Sequence, residues 1–112
     1  MKYMLLVYLD ENALSPAERE ECYRDSAQLA RELHSGGHYL DASPLEPTSL
    51  ATSVRMRDGK RLVTDGPFAE TREQLGGYYL IEAKNLDEAT AIAARIPSAK
   101  LGSIEVRPLH GM

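Results

Sequence analysis

The chain of 112 residues carries 13 Lys and Arg against 17 Asp and Glu, a formal net charge of −4 at pH 7, with 43% hydrophobic residues. That length is one ordinary domain and excludes a two-domain enzyme, and the composition is that of a globular chain with its own core. The acidic balance and the lack of a Lys/Arg stripe argue against a nucleic-acid groove.

A single cysteine, Cys22, leaves no internal disulfide and suits a reducing cytoplasm. Lys2 to Leu9 reads as a strand that is apolar on both faces, the pattern of a central strand. Its apolar run is too short to cross a bilayer and meets Asp10 and Glu11 at once, so neither a membrane span nor a leader is expected. Ser15-Pro16-Ala17-Glu18 is a capping box with Pro at the first helical position. Cys22, Tyr23, Ala27, Ala30 and Leu33 then form an apolar stripe, and Gly36-Gly37 ends the helix.

A short strand is expected over His38 to Ala42, followed by an extended connection at Ser43-Pro44-Leu45-Glu46-Pro47. Leu50, Thr52, Val54 and Met56 alternate with more polar neighbours. Asp58-Gly59 then signals a hairpin into Lys60 to Thr64. Asp65 to Gly76 is a long connection, with Phe68 expected to anchor it against the core, and Gly77 to Ala83 is a strand. Asn85 caps a second helix with Leu86, Ala89, Ile92, Ala93 and Ile96 inward; Ile104 and Val106 mark the last strand.

The order β-α-β-(β-β)-β-α-β predicts an α+β, ferredoxin-like (split βαβ) antiparallel sheet with two helices on one face and an extra β-hairpin. Such a sheet leaves its second face bare, yet the strands at Tyr3 to Leu9 and Tyr78 to Ile81 are apolar on both sides. A large bare apolar face is rarely tolerated on a monomer, which points to a homodimer with two sheets packed face to face.

The segment Asp65-Gly66-Pro67-Phe68 followed by Ala69-Glu70-Thr71-Arg72-Glu73-Gln74-Leu75-Gly76-Gly77 resembles the signature of the DGPF branch of the YCII-related family. The likeness extends to the opening strand with Asp10-Glu11, to Val54 through Lys60, and to Ile96 through Pro108, nearly the whole of residues 1–112 as a single domain. It implies a dimeric α+β barrel, bacterial origin and a link to extracytoplasmic-function sigma factors; separately, the sequence holds no phosphate loop or dinucleotide fingerprint, so no cofactor is expected. The family also implies an acid–base dyad of an aspartate ending the first strand and a histidine on the first helix. Asp10 matches the aspartate, whereas the histidine's place falls near Ser26, which cannot act as a base near neutral pH.

Three classes of function stay open at this level, one of them an interaction protein that docks a sigma factor or another regulator. A small-molecule-binding or regulatory module would use Glu70, Arg72, His38 and Phe68 as ligand contacts. An acid–base enzyme acting on a small metabolite would use Asp10 and Asp65 as its catalytic carboxylates. The bland alternative for both aspartates is local turn capping. His34 and His38 lack a third ligand, so no metal site is expected.

Overall fold

The computed structural model describes residues 1–111. Strand β1 (Lys2–Leu9) leads through a 3-10 turn at Glu11–Ala13 into helix α1 (Pro16–Ser35). Strands β2 (Tyr39–Pro44), β3 (Thr52–Arg57), β4 (Lys60–Asp65) and β5 (Gln74–Glu82) follow, then helix α2 (Leu86–Ala93) and strand β6 (Ser103–Pro108). Short 3-10 turns occupy Thr48–Leu50 and Pro97–Lys100.

Four strands form one antiparallel sheet in the order β2-β5-β1-β6, the ferredoxin-like arrangement, while β3 and β4 pair only with each other. Both helices pack on the same face. Leu29 and Leu33 of α1, with Ala89, Ile92 and Ala93 of α2, share one core with Tyr3, Leu5, Val7, Tyr79 and Ile81. Leu86, expected inward, is 54% exposed on the first turn of α2. The opposite face carries Met4, Leu6, Tyr8, Tyr78 and Leu80, half-buried by their neighbours within the sheet and covered by no helix.

The local signals explain the element ends. Ser15 accepts from the Glu18 amide at 3.2 Å while the Ser15 amide donates to the Glu18 carboxylate at 3.0 Å, completing the capping box. Those bonds hold the Glu18 carboxyl below its usual range. Asn85 accepts from the Glu88 amide at 2.9 Å and caps α2, while the Glu88 carboxylate accepts from the Lys84 amide at 3.0 Å. Asp58 and Gly59, at φ 51° and 73°, make the two-residue turn between β3 and β4.

Three boundaries differ from the sequence expectation. β2 runs on through Pro44, because as an edge strand it need not donate every amide. β3 starts at Thr52 rather than Leu50, which falls in a 3-10 turn. β5 starts at Gln74 rather than Gly77, which shortens the preceding connection to residues 66–73. A bulge makes that extension feasible: Val7 pairs with Gly77 and Tyr8 with Leu75, so Gly76 is the extra residue. Phe68 does not pack on the core of its own chain; it is 78% exposed.

Close packing at the end of β1 depends on Gly102. A Cβ there would collide with the Tyr8 carbonyl oxygen and come within 2.9 Å of Leu9 Cα.

Candidate functional site

Helix α1 presents two neighbouring stripes to the sheet. Leu29 and Leu33 are buried in the core, and Cys22 and Ser26, continuing that stripe at spacings of three and four, are only half-buried. Arg19, Tyr23, Ala27 and Ala30 run beside them and face a cavity. The stripe read from sequence mixed the two, which is why Tyr23 and Ala27 are exposed rather than buried.

The cavity has a volume of about 360 Å³ and opens on one side. It exists because small residues meet small residues. Ser26, Ala27 and Ala30 on α1 stand opposite Ala42 of β2 and Gly76 and Gly77 of β5. None of these side chains can fill the gap between helix and sheet. Gly77 is also forced by β2, since a Cβ there would meet the Ser43 carbonyl oxygen at 3.0 Å. The remaining wall is mostly apolar, with Val7, Leu9, Leu14 and Tyr79, and the connection at Leu45 and Pro47 forms the outer rim.

Glu11 and Arg19 supply the charge at the rim. The Arg19 guanidinium donates to the Glu11 carbonyl at 2.9 Å. The Glu11 carboxylate accepts from both the Thr48 amide and the Thr48 hydroxyl at 2.8 Å, while the Glu11 amide donates to Gln74 Oε1 at 3.1 Å. One acidic residue thus ties β1, α1, β5 and the connection after β2 together at the mouth. Deeper in, Cys22 Sγ lies 3.4 Å from the hydroxyl of buried Ser98, and Tyr79 donates its hydroxyl to the Ser26 carbonyl at 2.9 Å. Burial holds the Tyr79 phenol above its usual range.

The residues singled out from sequence lie elsewhere. Asp10 accepts from the Asn12 amide at 2.9 Å and caps the 3-10 turn; its neighbours Leu9 and Glu11 line the cavity but Asp10 does not. Asp65 is exposed at the end of β4, and Glu70, Arg72 and Phe68 are exposed in the connection that follows. His38 is a staple between elements: its Nδ1 sits 2.9 Å from the Glu82 carbonyl and 3.8 Å from the Glu88 carboxylate. His34 stacks on Tyr39 with ring centroids 6.1 Å apart. Ser26, near which the resemblance puts the family's histidine, does line the cavity. Glu11 and Arg19 escape the sequence reading; the signal that could have found them is the run of small residues on α1 opposite Gly76-Gly77.

The family model of the YCII-related domain matches residues 1–112. The chain belongs to the YCII-related family. An uncharacterized protein of Rhizobium meliloti (strain 1021) is 42% identical over 114 residues, covering 97% of this chain and 92% of that protein. Among solved structures, the chain is similar to the 5-chloro-2-hydroxyhydroquinone dehydrochlorinase of Burkholderia phenoliruptrix, in complex with 2,5-dihydroxybenzoquinone. That likeness has a TM-score of 0.58 at 14% identity over 97% of this chain and 93% of the other, and it establishes a shared fold. Among the described residues, no helix is long and apolar enough to cross a membrane.

Proposed function

We propose that this YCII-related chain is a small-molecule-binding protein whose ligand occupies the cavity between α1 and the sheet. The observation that carries the reading is the cavity itself: about 360 Å³, mostly apolar, with Glu11 and Arg19 at its rim. Ligand pockets share that size and that mix of apolar wall with a few placed polar groups. A small, largely apolar ring with an oxygen substituent toward Arg19 fits this chemistry, since one of the five guanidinium donors is taken by the Glu11 carbonyl. The dehydrochlorinase of the same fold, described with a hydroxybenzoquinone, supports a ligand of ring size.

The Asp65-Gly66-Pro67-Phe68 segment supports a place in the DGPF branch, and with it a regulatory role linked to sigma-factor signalling in a bacterial cytoplasm. The uncovered face carrying Met4, Leu6, Tyr78 and Leu80 supports a homodimer with sheets packed face to face. The second reading is acid–base chemistry on a small metabolite by Asp10 and Asp65, with Glu70, Arg72, His38 and Phe68 as ligand contacts. Its support is the position of Asp10 between two cavity-lining residues, Leu9 and Glu11.

A thermal-shift series with phenols, hydroquinones, benzoates and hydroxybenzoquinones tests the binding reading. A ligand at a hundred times its Kd adds about 2.7 kcal/mol of stability. A saturable rise in Tm that Arg19→Met weakens supports the proposal. No shift from any compound in the series overturns this ligand class. Turnover of a binding compound that disappears in Asp10→Asn would move the assignment to the second reading.

A further inference from the structure

The β3–β4 ribbon is built for something outside its own chain. Every residue from Thr52 to Asp65 is exposed except Ser53. The register sets Val54 directly against Val63, and the period of two puts Met56 on the same face. These three side chains are 59%, 58% and 59% exposed. Near the ribbon's root the Gly66 amide donates to the Ala51 carbonyl and the Ser53 hydroxyl to the Gly66 carbonyl, both at 2.7 Å, and the Arg55 guanidinium donates to the Phe68 carbonyl at 3.3 Å. An isolated two-stranded ribbon is marginal in water at best, and more so with a bare apolar face. The ribbon also stands away from the body. The radius of gyration is 15.6 Å, against about 13 Å expected for a domain of this length.

Charge indicates what covers it. The ribbon holds Arg55, Arg57, Lys60 and Arg61 against Asp58 and Asp65, a local excess of two positive charges in a chain of net −4. The stretch from Asp10 to Asp25 holds six carboxylates against two arginines. A basic tip and an acidic body on one molecule are complementary between copies. A two-fold pair lets each satisfy the other.

We propose that the β3–β4 ribbon is a docking arm for a second copy of this chain, its Val54, Met56 and Val63 face laid on the partner and its basic tip set against the partner's acidic surface. The inference rests on the homodimer reading above but goes beyond it, because sheet-to-sheet packing alone requires no arm.

Sedimentation equilibrium of the full chain and of Val54→Asp/Val63→Asp, with hydrogen exchange at several concentrations, separates the two ideas. The wild type is expected to dimerise, and the double variant to dimerise at least tenfold more weakly with an unchanged circular dichroism spectrum. Protection of the ribbon amides in the wild type should rise with concentration. Because aspartates in a strand could melt the ribbon, the charge-reversed Arg55→Glu/Arg57→Glu chain is the second variant, and its dimer is also expected to weaken. Equal dimerisation of all three chains, with ribbon exchange independent of concentration, overturns the arm and leaves the homodimer standing. A wild type that is monomeric at every concentration overturns both. Nucleic acid or another protein protecting the ribbon while dimerisation is untouched overturns the second copy as occupant.

Discussion

Filling the cavity from the helix side tests the description of the site most directly, and Ala30→Leu is the perturbation to use. Ala30 lies on the cavity stripe of α1, half-buried and in contact with the core margin. Leucine adds three carbons. At about 0.8 kcal/mol per buried CH₂, complete seating would stabilise the fold by roughly 2.4 kcal/mol. The cavity opens on one side, so part of the new side chain stays wet, and a gain of about 1–2 kcal/mol is expected. For a chain of this size that raises Tm by roughly 4–8 °C. Were the space already packed, the same change would force side chains off their rotamers and cost about 1–3 kcal/mol. The sign therefore decides. Urea unfolding of both proteins, read at equal m, gives the energy, and the thermal-shift series gives the companion result: stabilisation with loss of ligand response. Destabilisation by more than about 1 kcal/mol, or an undiminished ligand shift, would refute the reasoning.

Other substitutions probe separate parts of the argument. Gly102→Ala drives a methyl group into the Tyr8 carbonyl and the Leu9 backbone; a loss of several kcal/mol in urea unfolding is expected, and a loss below about 1 kcal/mol would show that the β1–β6 end relaxes freely. Thr48→Val removes one of the two bonds by which Glu11 holds the rim. Alkylation of Cys22 by N-ethylmaleimide should become several-fold faster at nearly constant Tm, and equal rates would mean that the rim does not gate the cavity. Tyr79 keeps its proton in the folded chain at pH values where the unfolded chain releases it. Its contribution is complete below about pH 10 and is lost as pH rises through the higher folded value. Tyr79→Phe should flatten the alkaline limb of stability against pH, and superimposable limbs would exclude the buried phenol as its source.

Most of the fold was legible because local chemistry and global packing agree. The capping box at Ser15, the Asn85 cap, the Asp58-Gly59 turn and the two-sided apolar strands each have one physical reading, and each forms as expected. The site was harder. A cavity is a property of what several elements fail to fill, so no single segment advertises it. The alternation of small residues along α1 was visible, but not that Ala42, Gly76 and Gly77 would stand opposite them. Asp10 drew attention by its position at a strand end, while its neighbour Glu11, with the same charge, reaches the rim. Phe68 was assigned inward because a lone phenylalanine in a polar connection is costly to expose. In the folded chain it is 78% exposed, so that expectation does not hold.

The bulge at Gly76 makes the character of the cavity mouth a matter of register. Ahead of it, Gln74 pairs with Leu9 on the helical side, where its amide meets the Glu11 backbone, and Leu75 is turned outward and 37% exposed. A continuous ladder that kept Gly76 would pair it with Tyr8 and shift everything upstream by one step, bringing Leu75 opposite Leu9 and turning Gln74 away. A polar gateway would become a greasy one with no residue altered in kind, so relatives that pair these strands without the bulge at equal length are expected to differ in what they admit.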